Sequence, residues 1–416
     1  MKKILACFLF LNITIFGADI NDEDINFNVL KALNLSNSKP DEAIKIYKNL
    51  YDRTGAGIYL KEAIKLATIS KNSSLNELLK LGDEVLNGDS EFLKLKIMNY
   101  IRVQNFNAAS VLAKELIDIE KNAKNYSLLG DTYYFSNEYD KALNSYERSY
   151  ELNQSEENVL KISQVLLLKK KDAEKAIRYL QTHRKLIGCG KKVCDILAEI
   201  YKMRRDFQNF AEISEAAYAQ KKENYYLDNA ISAYLYIKNN DKAIELLKKY
   251  DYDAKLLIQI YAGMNKFDDA QRLAVKEFEK SGDNEFLGMD AIYEYEKNRG
   301  KITTEILKNV MAKFDPIIEK LNMPIYQNYY GYVLIDHDID IKRGIKLVKK
   351  ALENEPDSVY FLDSLAWGEY KLGKCNKAAK IMKKISSNEE FMKSDEAKEH
   401  LKAISECIKK AKSDFR

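Results

Sequence analysis

A chain of 416 residues exceeds the roughly 250 to 300 at which one hydrophobic core stops growing, so it is either several domains or an array that adds core one neighbour at a time. Its 4 prolines and 16 glycines leave few places to break a helix or adopt positive φ, which argues against strand-and-turn architectures, whereas 31% charged and 46% hydrophobic residues suit amphipathic helices. The net charge of +4, from 67 basic and 63 acidic residues interspersed along the chain, provides no field directed at nucleic acid.

Met1-Lys2-Lys3, the apolar run Ile4 to Phe16 and Gly17-Ala18 have the three-part layout of a secretory leader, predicted to span 1–18 with cleavage after Ala18. The run is 13 residues long and contains Asn12 and Thr14, too short and too polar to cross a bilayer. Ile4-Leu5-Ala6-Cys7 loosely resembles a lipobox, but the apolar stretch continues beyond Cys7, so a discarded leader residue is the preferred reading and a lipid anchor the alternative. Past the leader remain Cys189, Cys194, Cys375 and Cys407, an even set predicted to form disulfides in an oxidising periplasm. Three pairings exist; Cys189 with Cys194 and Cys375 with Cys407 close the shortest loops. A lone Cys-x4-Cys is weak evidence for zinc, and no metal is predicted.

The stretch 19–122 shows a degenerate pattern, with Asp41-Glu42-Ala43 and Tyr47, then Asn105 to Ala109 and Ala113. A clear unit starts at Ala123: Tyr126, Leu129, Gly130 and Tyr133 line one helix face, and Ala142, Tyr146 and Ser149 a second. The small Gly130 and Ala142 let the two helices approach closely. Ser136 to Asp140 supply the turn, with Asp140 the expected helix N-cap. These residues resemble the 34-residue tetratricopeptide repeat.

The register continues through 123–284 with Leu167, Ala176 and Leu180, then Tyr234, Ala243 and Leu247, then Tyr261, Ala270 and Ala274; Ala243 and Ala270 are only 27 residues apart. Gly288, Gly300, Pro316 and Pro324 mark 285–323 as an irregular helical joint. In 324–393, Asn328-Tyr329-Tyr330-Gly331-Tyr332, Gly344, Ala351 and Leu362 to Trp367 resemble a bacterial tetratricopeptide subfamily reading NYLGY and YLDSLGW. Gly344 stands where alanine is usual and Ala366 where glycine is usual. The segment 394–416 carries Ala397, Leu401, Ile404 and Ile408 on one face, as a capping helix requires. The 416 residues less an 18-residue leader, at 34 per repeat, allow about eleven units.

The resemblance implies an all-α, right-handed superhelical solenoid of antiparallel helix pairs with a C-terminal capping helix. It also implies a concave groove lined by the first helix of each pair, which places Asp131, Tyr134, Phe135, Tyr225, Asp228, Tyr236, Asn328, Tyr332, Asp363, Trp367 and Tyr370 toward a ligand. Tyrosine at helical spacing also serves packing, and Trp367 equally fits beneath the capping helix. His183, His337 and His400 lie in no pattern with a nucleophile or metal ligands, and no glycine-rich phosphate loop exists. Asp336 to Asp340 begins like a calcium loop, but Ile341 and Leu347 replace the required glycine and glutamate. The function expected is a non-catalytic periplasmic scaffold that needs no cofactor and binds a protein or peptide of the cell envelope, with a membrane-associated complex as one setting. The alternatives are an enzyme or enzyme subunit with its site in 285–325, and an outer-membrane lipoprotein with the same binding role.

Overall fold

A computed structural model describes residues 22–413; the leader expected over 1–18, with Cys7, lies outside the described residues. Every regular element described is helical. In chain order come α1 (Asp22–Leu35), α2 (Pro40–Thr54), α3 (Gly57–Ser70), α4 (Leu75–Val85), α5 (Ser90–Arg102) and α6 (Phe106–Ile119). Next are α7 (Ala123–Phe135), α8 (Tyr139–Leu152), α9 (Glu156–Gln164), which runs on as a π-helical turn over Val165–Lys170, α10 (Ala173–Leu186), α11 (Val193–Met203) and α12 (Phe207–Lys221). Then follow α13 (Asn224–Tyr236), α14 (Asn240–Tyr250), α15 (Ala254–Gly263), α16 (Phe267–Ser281), α17 (Asn284–Lys297) and α18 (Thr304–Phe314). The series ends with α19 (Ile318–Leu321), α20 (Pro324–Asp336), α21 (Ile341–Asn354), α22 (Val359–Lys371), α23 (Cys375–Ile385) and α24 (Asp395–Ser413). Setting aside the one-turn α19 and the final α24, these form eleven consecutive hairpins. The chain divides into two compact units, Met1–Tyr226 and Leu227–Arg416, with the division inside α13.

The repeat is written most regularly in the backbone. Left-handed residues recur at Lys71, Gln104, Asn137, Lys171, Arg205, Lys238, Asn265, Gly300, Asp338 and Gly373, at intervals of 33 to 38 residues except for 27 between Lys238 and Asn265. At seven of these turns the first helix ends in the same two-bond Schellman closure. The Asn105 N–H donates to the Tyr100 carbonyl at 2.8 Å, and Glu138 does so to Tyr133, Asp206 to Tyr201, Asn239 to Tyr234, Lys266 to Tyr261, Ile339 to Leu334 and Lys374 to Glu369. Tyrosine therefore recurs at the position that both packs inward and closes the turn; Tyr133, Tyr201, Tyr234 and Tyr261 are all buried. The low glycine count misleads here, because eleven described non-glycine residues adopt positive φ. The closing hydrogen bonds fix the conformation that a side chain at such a position disfavours.

Those turns also set where the second helices begin. Asn105, Asp172, Asp206, Asn239 and Asp340 each accept from the backbone N–H three residues on, satisfying an orphan donor. Asp140 is not the N-cap expected from the sequence: the cap position of α8 falls on Glu138, whose side chain makes no capping bond. Asp140 lies in the first turn of α8 and pairs with Lys170 at 2.6 Å. In the Asp336 to Asp340 stretch, Asp336 ends α20 and the remaining residues are the turn into α21.

Close packing follows the expected small-on-large pattern. A Cβ on Gly130 would sit 2.4 Å from the Tyr146 ring, and Ala43, Ala109, Ala113, Ala142, Ala176, Ala243, Ala270 and Ala274 are fully buried. The expected joint at 285–323 is a further hairpin, α17 with α18, followed by α19. Gly288 accommodates Tyr326, Pro316 follows the C-cap Asp315, and Pro324 opens α20. The four described cysteines pair in the two shortest loops, Cys189 with Cys194 at a Cα separation of 4.9 Å and Cys375 with Cys407 at 5.8 Å.

His183 on α10 is fully buried, its Nδ1 lies 3.1 Å from the Tyr150 hydroxyl, and its Nε2 has no partner. Burial pushes its pKa below the ordinary 6.5, with Glu156 pulling weakly the other way. As pH falls through 6.5 the unfolded chain therefore takes up the proton before the folded one, and stability drops. The urea midpoint of the wild type should fall between about pH 7 and about pH 5 by more than that of His183→Phe; equal falls would show that His183 is not the group responsible.

Candidate protein-binding surface

Two regions hold most of the residues expected to face a ligand, and the structure treats them differently. The first, in the N-terminal unit, is built on α7, α8 and the π-helical turn after α9. Phe135, at the end of α7, is 55% exposed. The Tyr134 ring meets Phe135 edge-on at 5.7 Å and Tyr139 at 5.9 Å. Lys169 Nζ stands over both tyrosines, 5.6 Å from the Tyr134 centroid and 5.1 Å from that of Tyr139. The Gln164 amide donates to the Tyr134 hydroxyl at 3.1 Å. Lys169 belongs to the widened turn Val165–Lys170, the kind of local departure from α-helix that often serves a site. The sequence pattern points to Tyr134 and Phe135 but not to Lys169 and Tyr139, because a π-turn leaves no mark in hydrophobic spacing.

Asp131, also on α7, is half-buried and committed. It accepts from the Tyr146 hydroxyl at 2.7 Å and from Lys161 at 2.9 Å, which joins α7, α8 and α9. Burial, reinforced by the Asp131 charge, pushes the Tyr146 hydroxyl pKa well up and keeps it a donor. On α13, Tyr225 is 59% and Tyr236 70% exposed. Tyr225 packs edge-on against Tyr226 at 5.3 Å, and exposed Asp228 accepts from Tyr252 at 2.8 Å.

The second region, in the C-terminal unit, is covered by the chain itself. Trp367 on α22 is buried between Tyr370, with ring centroids 4.8 Å apart, and His400 of α24 at 4.1 Å. Its indole N–H donates to Asp336 at 2.9 Å. Asp363 is buried against His400, 2.8 Å from its Nδ1, and half-buried Tyr332 has its hydroxyl pKa raised by burial and by Glu396 of the same helix as His400. Trp367 and Asp363 thus lie beneath α24 and not on an open groove: the apolar face of the cap needs a surface to cover, and the last first-helix is the one left over. Asn328 is half-buried, and its Oδ1 is enclosed without a hydrogen-bond partner.

The carboxylates gathered in two other places are engaged, in ion pairs or as a helix cap. In the 285–325 region Asp290 and Glu294 converge on Lys313 at 2.7 and 2.6 Å, and Gln271 donates to Asp290. In the cleft of about 350 Å³ between α14, α15 and α16, Asp251 pairs with Lys280, Asp269 with Arg272, and Asp253 caps α15. His337 meets the Tyr295 hydroxyl at 2.8 Å.

No family model matches the chain. No curated protein matches it either. Among solved structures it is similar to the Naa15/Naa10 complex bound to HypK-THB, with 18% identity, a TM-score of 0.34 and coverage of 91% of this chain and 62% of that one. It therefore spans less than two thirds of that protein's length. A second likeness is to the APC/C hetero-tetramer Cut9–Hcn1, at 11% identity and TM-score 0.36 over 93% and 84% of the two chains. A third is to MamA AMB-1, at 16% identity and TM-score 0.30 over 40% and 93%. At these scores the tetratricopeptide-type architecture rests on the hairpins and their recurrent turns. Among the described residues no helix is long and apolar enough to cross a membrane.

Proposed function

We propose that the protein is a non-catalytic scaffold that grips a peptide or helix of another protein, and that it works in the periplasm as part of the cell envelope. The observation that carries this reading is the cluster of exposed Phe135 with half-buried Tyr134 and Tyr139, the two tyrosines lying beneath Lys169. Rigid aromatic rings with polar tips bury much area at small entropic cost, and a cation held over two rings adds a handle for a partner's carboxylate. The export reading rests on the leader and on the paired cysteines. In the same unit, Tyr225 offers a further exposed ring of this kind. The 285–325 alternative is the weaker one, because Asp290 and Glu294 there are both engaged by Lys313.

A photo-crosslinking amino acid placed at Phe135 of the full-length chain, expressed with its leader, should capture one discrete envelope polypeptide. The same probe at Asp118, on the second helix of a hairpin, should not. Phe135→Ala should weaken capture about 10- to 100-fold, as truncation of an exposed aromatic anchor commonly does, with the melting temperature unchanged. Equal labelling from both positions would overturn the assignment of this face.

A further inference from the structure

Beneath the C-terminal cap, three side chains far apart in sequence come together. Asp363 is on α22, while Glu396 and His400 stand one turn apart on α24 and so share a face. One ligand atom of each lies within 4.8 Å of the others. The side chains of His400 and Asp363 are only 3% and 5% exposed. His400 Nδ1 is 2.8 Å from Oδ2 of Asp363, and Oδ1 of the same carboxylate is buried with no hydrogen-bond partner. Proteins seldom leave a buried polar atom in that state, and a carboxylate oxygen so placed is free to ligate an ion. The His400 ring is held by its stack on Trp367 at 4.1 Å, which fixes its orientation in the way a prearranged ligand requires.

We propose that Asp363, Glu396 and His400 form a binding site for one first-row divalent cation, zinc above all, that clamps α24 onto α22. An imidazole nitrogen with two carboxylates suits zinc, which accepts three protein ligands plus water. Magnesium and calcium favour all-oxygen shells of six or more ligands. The ion displaces the contact between Nδ1 and Oδ2, and Asp363 ligates it through either carboxylate oxygen, including the unpartnered Oδ1. Two groups adjoin Glu396: the Tyr332 hydroxyl, which hydrogen-bonds it, and the Arg299 guanidinium at 3.7 Å. Arg299 is the cation the metal competes with. The site is independent of what the aromatic surface of the N-terminal unit binds. Sequence spacing does not reveal it, because Asp363 is 37 residues from His400.

The test is equilibrium dialysis of the chelator-stripped, disulfide-intact full-length protein against Zn²⁺ alone, with bound metal counted per chain. One equivalent should bind, and millimolar Mg²⁺ or Ca²⁺ should not displace it. Glu396→Gln, at a half-buried position, should weaken binding at least tenfold while the far-UV circular dichroism is retained, and Arg299→Gln should strengthen it. His183→Gln should leave it unchanged. Absence of saturable binding, or stoichiometry and affinity that ignore both Glu396→Gln and Asp363→Asn, would overturn the site and leave Asp363 and His400 as a hydrogen-bonded pair only.

Discussion

Gly344→Val should destabilise the C-terminal unit by about 3 kcal/mol, the upper part of the overpacking range. Where α20 crosses α21, a Cβ on Gly344 would lie 2.5 Å from the carbonyl oxygen of Gly331, and one on Gly331 would lie 2.8 Å from that of Gly344. Backbone faces backbone, so no side chain can rotate away and the helices must separate. The same geometry accounts for glycine where alanine is usual in the resembling repeats: with Gly331 opposite, the helices approach further than alanine permits. Even Gly344→Ala should lower the melting temperature, although alanine gains about 1 kcal/mol in helix propensity over glycine. Gly263 on α15 supplies the contrast, since a Cβ there would meet nothing within 4 Å; Gly263→Ala should be neutral or stabilising. Thermal melts of the three variants decide the matter, and a Gly344→Ala protein as stable as the wild type would show that the helices have slack.

Trp367→Ala should cost about 3 to 5 kcal/mol, the range for a buried aromatic cut to alanine. Trp367 fills the space between Tyr370 and His400, and its N–H is spent on Asp336; truncation removes the platform on which α24 rests. Because it is the only tryptophan, wild-type fluorescence reports its burial directly and should be blue-shifted and poorly quenched by iodide. Limited proteolysis of Trp367→Ala should cut first between Ser386 and Asp395, where the connection to the cap runs. Tyr332→Ala should follow the same course, losing melting temperature before any binding, whereas Phe135→Ala should do the reverse. A Trp367→Ala protein with an unchanged melt and a red-shifted wild type would return these residues to a ligand surface.

The hairpin repeat is legible in the sequence because its marks are packing marks: Gly130 against Tyr146, the buried alanines, and tyrosines at the ends of first helices. Even the short spacing between Ala243 and Ala270 is readable, and it reappears between Lys238 and Asn265. What cannot be read is whatever the backbone decides. Gln104, Arg205 and Lys238 carry left-handed turns without being glycine, because the closing hydrogen bonds are main-chain and leave no residue type behind. The expected cap at Asp140 fails for the same reason, since the turn and not the nearest aspartate sets where α8 begins. Of the ligand-facing residues, Tyr225 and Tyr236 on α13 and Phe135 on α7 keep substantial exposure. Asp363 and Trp367 are claimed by α24, whose docking depends on contacts across more than 30 residues, such as the pairing of Asp363 with His400. Helix phase tells which face a residue occupies; it does not tell what later covers that face.

The Cys375–Cys407 bond has a mechanical consequence. Tension applied to the chain beyond Cys407 passes through the sulfurs to Cys375, the first residue of α23, and on into α22, bypassing the residues between the two cysteines. The part of α24 before Cys407, and α23 with it, then bears almost none of the load while the bond lasts. A pulling experiment under oxidising conditions should show the last hairpin yielding as one piece with α24, and a reduced chain should give up α24 first as a separate, weaker step.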